Sequence, residues 1–376
     1  MNSILAACDL SMKAIVLAGG YATRLRPISY VIPKLLFPIA GKPMIYWTLD
    51  LLKRFQVEEA VLAVNYLADY LRRTVGDEYR GMRIKYSLET IPLGTAGPIK
   101  LASKITRLDK TFIAMNGDII TNVDFSKMLH CHESTNSMIT DALEEVQDPS
   151  RFGVVKLDAS SRIVKFVEKP SKKEAPSRLI NAGIYIVEPS VLKQIPSGRK
   201  VSLEREIFPV LAHRGKLGGF PISDYWFDIG DSSDYRKANF ALAKKIAERS
   251  GLQLSGRTNM KRWKLAPPTL IGRDGKVGVE AKLGPNAVLG KRVTIGKRVR
   301  IANSIIFDDV KIGDESTVTG AIVANGSTIG DDVRIGWGSV ISPYVSISDG
   351  VRVGKDALIH PYKKITRHIA PGAHVM

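Results

Sequence analysis

Two different periods of apolar positions divide the chain. Between residues 13 and 250, short apolar runs alternate with stretches at helical spacing. KAIVLA (13–18) is an apolar run followed at once by Gly19 and Gly20. Residues 43–55 open with Pro43 and carry apolar residues at a helix period, which predicts a helix. AVLAVN (60–65) reads as a buried strand, MRIKYSL (82–88) as an alternating one, TFIAMN (111–116) as another buried strand, and residues 123–133 as a helix. This βαβα order predicts a parallel α/β sheet with helices on both faces. In such sheets ligands sit beyond the carboxyl ends of the strands, so the segments after 18 and after 116 are where chemistry is expected.

After about residue 265 the period becomes six. Leu283, Leu289, Ile295 and Ile301 are six apart. The spacing slips to five, resumes through Ile306, Ile312 and Val318, slips again, and then holds from Val323 through Ile329, Ile335, Ile341, Ile347, Val353 and Ile359 to Ile365. Glycine follows at 284, 290, 296, 313, 330, 336 and 354, and small or branched residues recur four positions on, as at Ala287, Val293, Ser316, Ser327, Ser339 and Val345. Six is not a multiple of 3.6, so a helix does not explain the pattern. A hexapeptide repeat does: three hexads form one triangular coil of roughly 18 residues of a parallel β-helix, each aliphatic pointing inward. Spacing does not set the hand; repeats of this type resemble the left-handed β-helix. Residues 246–268 lose both periods and end in Pro267–Pro268, which places a linker there. The expected domains are 13–250 and 265–376. The first twelve residues precede the first strand and read as a variable tail or an over-early start.

Composition changes the picture modestly. At 376 residues, with 44% hydrophobic and 24% charged residues, two packed domains are affordable and wholesale disorder is excluded. Two cysteines, Cys8 and Cys131, exclude a disulfide framework or a four-cysteine metal site from this chain alone. No run of about 18 apolar residues predicts a membrane span, and the start lacks the pattern of a secretory signal, so a reducing cytoplasm is expected. The 55 basic residues against 37 acidic ones, a formal +18, point to an anionic partner such as a nucleotide or sugar phosphate, or to a generally basic surface. The cations are scattered and no nucleic-acid-binding motif is present, so nucleic acid is not an expected partner.

The stretch 17–45 carries most of the chemistry. Gly19 and Gly20 allow close approach of backbone N–H groups to phosphate oxygens. Arg24 and Arg26 supply forked permanent cations and Lys34 a mobile one, a set that suits a triphosphate but is also compatible with a solvated surface loop. The P-loop pattern is absent because Pro43 follows Gly41–Lys42, and the dinucleotide pattern is absent because Gly19–Gly20–Tyr21–Ala22 has the wrong spacing. AGGYATRLRP (18–27) and PKLLFPIAGKPM (33–44), followed in order by LGTAGPI (93–99), NGD (116–118), FVEKP (166–170), NAGIYI (181–186) and YWFDIG (225–230), resemble the motifs of sugar-1-phosphate nucleotidylyltransferases. The resemblance runs from Lys13 through the hexapeptide tail. AVNYLAD (63–69), SLEREIFPVLA (202–212) and the basic tail make it most similar to the mannose-1-phosphate guanylyltransferase branch.

The resemblance implies a Rossmann-like mixed-sheet nucleotidyltransferase domain followed by a left-handed parallel β-helix, and a reaction in which an NTP and a sugar 1-phosphate give an NDP-sugar and pyrophosphate. It implies that Asp118 and Asp228 hold Mg²⁺; on the residues alone, Asp118 is equally a strand-end turn residue and Asp228 a helix cap. It implies that Arg24 and Lys34 bind the triphosphate, that Leu17, Gly19, Gly20 and Gly94 touch the nucleotide, and that Glu168, Lys169, Asn181 and Gly183 touch the sugar phosphate. A surface salt bridge explains Glu168–Lys169 alone, and a turn explains Asn181. Two departures stand out: Ala22 and Leu35 replace the family's usual glycine and proline. Either the loop keeps a negative φ at Ala22 or its geometry is shifted, which leaves a regulatory homologue that binds NDP-sugar as an alternative. His360, His368 and His374 raise a second alternative, an acetyltransferase tail, although they stand in no acetyltransferase motif; His130 and His132, two apart on a helix, do not chelate. Exposed end coils favour a homo-oligomer.

Overall fold

The computed structural model describes residues 12–250 and 263–376. The tail 1–11, and the part of the expected linker at 251–262, lie outside the described residues. Backbone proximity divides the chain into two compact units. One runs through Tyr21 and from Ile45 to Asp228; the other comprises Ala22–Met44 and Ile229–Met376.

The first unit is built on a mixed sheet. Its strands, in chain order, are β1 (Lys13–Ala18), β2 (Glu59–Val64), β3 (Glu78–Tyr79), β4 (Met82–Leu88), β5 (Phe112–Asn116), β6 (Ile119–Thr121), β7 (Ile139–Glu145), β8 (Gly153–Leu157), β9 (Ile163–Glu168), β10 (Leu179–Val187), β11 (Leu217–Pro221) and β12 (Trp226–Asp228). The main order is β9-β8-β10-β5-β1-β2-β4-β3, with β7 paired to β10 and β11. β5, β1, β2 and β4 run parallel. From β10 outward the pairing turns antiparallel, except that β11 runs parallel to β7, so the all-parallel expectation holds for the β5-β1-β2-β4 half only. The helix at Met44–Arg54 forms because Ile45, Leu49 and Leu52 share one buried face and Lys53 and Arg54 suit its C-terminal dipole. The helix Phe125–Thr135 starts at Asp124, whose carboxylate accepts the N–H groups of Ser126 and Lys127 at 3.0 and 3.1 Å.

One buried acid stands out. Asp141, in the middle of β7, is 0% exposed, and neither of its oxygens has a hydrogen-bond partner among the described residues. Burial, reinforced by the nearby Glu204 carboxylate, pushes its pKa well above the usual carboxylate range. The folded chain therefore keeps this proton while the unfolded chain releases it above the ordinary carboxyl pKa. Folding stability must fall as pH rises past that value. Asp141→Asn should remove this dependence: its stability advantage over the parent should grow as the pH rises above the ordinary carboxyl pKa, read by urea unfolding at a series of pH values from about 5 to 7. A constant difference across that range would refute the assignment.

The second unit is a coil of three parallel sheets, consistent with a left-handed β-helix. The hexad aliphatics stack as expected: Leu283 on Ile301, Val318, Ile335 and Val353, and likewise around the other two faces. All are buried in one continuous core. The two five-residue slips shorten the coils they fall in, so Ile301 pairs with Val318, and Val318 with Ile335, across 17 residues instead of 18. The buried serines bond between coils: Ser316 Oγ donates to Gly330 O at 2.8 Å and accepts the Val333 N–H at 2.9 Å. Gly290 is needed because a Cβ there would stand 2.3 Å from an Asp308 carboxylate oxygen, which accepts the Lys291 N–H.

The three sheets differ outside. On one, the outward residues Val288, Ile305, Ile322 and Val340 are apolar and buried. The helix Ser232–Ser250 lies on its first strands. That helix continues through residues 246–250, which the loss of period had placed in the linker. Its buried Tyr235, Ala238, Asn239, Leu242 and Ala243 follow helical spacing. The motif segment 22–44 is anchored to the same unit. The rings of Phe37, Tyr235 and Phe307 meet at 5.8 to 6.3 Å, the Tyr235 hydroxyl donates to Pro38 O at 2.5 Å, and Asn239 Oδ1 accepts the Ala40 N–H at 2.8 Å. Leu25, Ile28 and Phe37 close over Ile322, Val340 and Leu358 around a cavity of about 110 Å³.

Candidate active site

In the first unit the expected residues gather at the carboxyl ends of the parallel strands. Gly19 and Gly20 follow β1, Asn65 follows β2, Glu89 follows β4, and Gly117–Asp118 follow β5. These ends are tied together: the Gly117 N–H donates to Leu17 O at 2.9 Å, and Asn65 Nδ2 donates to Gly19 O. A Cβ on Gly19 would lie 3.3 Å from a Glu89 carboxylate oxygen and 3.6 Å from Asn65, whereas Gly20 faces open space. Asn65 and Glu89 were not anticipated. They occupy the same strand-end position as Gly19 and Asp118, and that shared position is the signal that could have found them. Glu89 is half-buried, which raises its pKa, and its second carboxylate oxygen is buried without a hydrogen-bond partner among the described residues.

The two aspartates come together. β6 and β12 form a two-stranded antiparallel ladder in which Asp228 stands opposite Ile119, the residue after Asp118. Both are half-buried. Trp226, two residues before Asp228, donates its indole N–H to Ala182 O at 2.9 Å and packs edge-on against Phe152. This fastens the aspartate ladder to the segment carrying the expected sugar contacts. There the register of β10 shifts between Asn181 and Tyr185. Asn181 Oδ1 accepts the Gly183 N–H at 2.7 Å and the Tyr185 hydroxyl at 3.1 Å. Gly183 has φ +72°, and a Cβ on it would be 2.4 Å from Asn116 Nδ2, so only glycine fits against the end of β5.

Glu168 ends β9. Its carboxylate lies 3.8 Å from Lys169 Nζ, and its pKa is raised by burial and by Glu204 despite that lysine. The Lys169 N–H donates to Phe152 O at 2.9 Å, which links this pair to the Trp226 cluster. Gly94 bridges to Val201, whose carbonyl oxygen would stand 2.3 Å from a Cβ there. Beside it, Glu204 accepts the hydroxyls of Thr95 and Ser202, each at 2.6 Å.

In the second unit, Arg24 is exposed and Lys34 half-buried, each in a short 3₁₀ turn of the motif segment. Ala22 adopts φ 47°, ψ 41°. The alternative of a negative φ is thereby excluded: the alanine takes the left-handed conformation for which glycine is suited. Its carbonyl accepts the Leu25 N–H at 3.0 Å and the Ser29 hydroxyl at 2.8 Å, which hold it there. Ala22→Gly should therefore raise stability by about 0.5–1 kcal/mol, the left-handed penalty less the entropy of the added glycine. A lowered unfolding midpoint would contradict this. Leu35 is buried.

Three of the six histidines have partners in the structure. His132 is buried between Thr140 Oγ1 at 2.8 Å and Glu188 at 3.1 Å, and burial lowers its pKa. The His360 ring lies tilted by 33° against Tyr30 with ring centres 5.4 Å apart, and His368 Nδ1 accepts the Arg352 N–H at 3.1 Å. No group of three or more His, Cys, Asp or Glu suited to a metal occurs among the described residues. A pair of carboxylates that leaves places for phosphate oxygens and water still suits Mg²⁺, a hard cation usually held by one or two carboxylates, and the donors at Asp118 and Asp228 are oxygen alone. No described helix is long and apolar enough to cross a membrane.

Comparison with known proteins agrees with this geometry. The nucleotidyl transferase family matches residues 13–245, and the GMPPB C-terminal domain matches residues 265–375. The mannose-1-phosphate guanyltransferase of Aspergillus fumigatus is 38% identical over 86% of this chain and 89% of its own length. That of Saccharomyces cerevisiae is 35% identical over 69% and 72%. HddC of Yersinia pseudotuberculosis, solved as a complex with GMP-PN, is 31% identical, has a TM-score of 0.51, and overlaps 61% of this chain and 99% of its own. Neither the regulatory nor the acetyltransferase alternative is favoured by these relatives. With its strand-end glycine turn, a ladder that sets Asp228 opposite the residue after Asp118, and its hexapeptide coil, the chain belongs to the nucleotidyl transferase family and is a sugar-1-phosphate nucleotidylyltransferase.

Proposed function

We propose that the chain transfers the guanylyl group of GTP to mannose 1-phosphate, giving GDP-mannose and pyrophosphate. The observation that carries the site is the ladder holding Asp228 beside Asp118, fastened through Trp226 to the β10 bulge. The names and coverage of the relatives support the substrates. In the reaction an oxygen of the sugar phosphate forms a bond to the α-phosphorus, and the bond from that phosphorus to the bridging oxygen of pyrophosphate breaks. The nucleophile is already ionised, so no strong base is needed; the work is positioning and charge stabilisation.

Asp118 and Asp228 would hold Mg²⁺, which when bound supplies positive charge to the reacting phosphates. Gly19 and Gly20, with Leu17 and Gly94, give the nucleotide backbone contacts without side-chain obstruction. Arg24 and Lys34 provide cations for the triphosphate. Glu168 and Asn181 accept or donate to sugar hydroxyls, Lys169 meets the sugar phosphate, and Gly183 keeps room beside Asn116. The catalytic domain is taken as 13–250 and the repeat domain as 265–376, which the two family matches support.

The test is a panel of four NTPs and several sugar 1-phosphates, read by pyrophosphate release. GTP with mannose 1-phosphate should react fastest, and release should need both substrates; a folded chain with no turnover on any pair would refute the reading. Self-association through the β-helix is part of the same proposal. Sedimentation should give a dimer or larger species, and a strict monomer would contradict it.

A further inference from the structure

A second binding groove lies on the coil, and nothing in the proposed reaction uses it. On the sheet formed by strands 264–265, 282–283, 300–302, 317–319, 334–335 and 352–353, the outward residues in register are Lys264, Lys282, Arg300, Thr317, Arg334 and Arg352. Like charges directly opposite each other on neighbouring strands repel, so this ladder carries a standing cost that an anion would relieve. At its C-terminal end the ladder opens into a groove of about 690 Å³ whose lining includes Arg334, Trp337, Arg352, Lys355 and His368, along with Thr317 and Thr319.

Trp337 makes the groove more than a charged surface. A Cβ on Gly320, one coil earlier, would lie 2.2 and 2.3 Å from indole carbons, so the ring lies flat on that glycine. The ring is nonetheless 47% exposed, which leaves its other face open. Elsewhere the coil builds a similar platform and closes it: Tyr344 lies over Gly326, but Tyr362 stacks on it at 5.3 Å and 10°. Over Trp337 no ring is stacked among the described residues. The position one coil on is Lys355, whose side chain, like that of Arg334, makes no hydrogen bond or ion pair among the described residues. Arg352 is 3.8 Å from Asp332, the nearest acid to it. His368, with Nδ1 occupied by the Arg352 N–H, presents Nε2 as its free ring nitrogen.

An open indole face rimmed by four basic side chains is complementary to a flat base carrying phosphates. We propose that this groove binds a nucleoside di- or triphosphate, base on Trp337 and phosphates on Arg334, Arg352 and Lys355, as a site separate from the catalytic one. The groove stands without the assignment of GTP and mannose 1-phosphate; only the count of two GDP sites expected below assumes a catalytic site that takes guanine.

The test is calorimetric titration of the full chain with GDP, guanosine and pyrophosphate. GDP should fill two sites per chain. Trp337→Leu and Arg352→Ala should each weaken one of them about tenfold or more, Trp337→Phe should keep it within a few-fold, and Lys34→Ala should leave it intact. Guanosine and pyrophosphate should each bind this site more weakly than GDP. An unchanged thermal transition in each variant confirms that the coil is folded. A single site indifferent to Trp337 and Arg352, or pyrophosphate binding as tightly as GDP, would overturn the proposal. So would a Trp337 environment that changes with chain concentration and not with nucleotide, since that marks the groove as a self-association surface.

Discussion

Asp118→Asn and Asp228→Asn should each lower kcat roughly 10²–10³-fold, as expected for the loss of a preorganised charge at a reacting phosphate. Each substitution keeps the shape of a half-buried side chain at the end of a short ladder, so the fold should survive, and unchanged circular dichroism serves as the check. The two carboxylates act on one cation in the proposed site, so their effects should not add. The double variant should be little worse than either single one, a coupling of the kind shown by groups that work as a unit. Raising the Mg²⁺ or Mn²⁺ concentration should restore part of the activity of the single variants and little of the double. Single variants that turn over at the parental rate would remove these residues from the mechanism.

Phe37→Ala should destabilise the chain by about 3–5 kcal/mol, the usual cost of truncating a fully buried phenylalanine. Phe37 is 1% exposed and meets Tyr235 and Phe307, so the truncation empties the junction between the motif segment, the helix Ser232–Ser250 and the coil. The same segment carries Arg24 and Lys34. Turnover should therefore fall as well, even at temperatures where most molecules remain folded, although Phe37 is given no contact with substrate. Urea unfolding and steady-state kinetics on one preparation test both parts. A loss below about 1 kcal/mol would show that the junction is not a packed core.

The hexad spacing made the interior of the coil legible, because one inward aliphatic per strand is a strong periodic signal and nothing competes with it. The exterior was written in the sequence too, but at a period of 17 to 18: the residue before the inward aliphatic is apolar at Val288, Ile305, Ile322 and Val340 and basic at Lys282, Arg300, Arg334 and Arg352. Read one hexad at a time, that alternation of faces is invisible. In the first unit, buried parallel strands such as KAIVLA were legible as apolar runs. The antiparallel half was not, because β7 carries a buried aspartate and β10 a bulge at Gly183 that break both the run and the alternation. Asp118 and Asp228 were found through motifs; their adjacency depends on a strand pairing over more than a hundred residues, which local pattern does not encode. Asn65 and Trp226 lie inside the quoted motifs AVNYLAD and YWFDIG, but their roles, side-chain hydrogen bonds to Gly19 O and Ala182 O, depend on tertiary contacts that the motifs do not spell out; Glu89 lies in no quoted motif.

The apolar outer sheet of the coil bears on how the enzyme fails under heat. Arg24 and Lys34 ride on a segment whose greasy underside rests on Ile322, Val340 and Leu358. On the proposed role of these two cations, the half-life of turnover at elevated temperature should follow the fraying of the coil, while the parallel strands β1, β2 and β5 outlast it as an inert, still-ordered remainder.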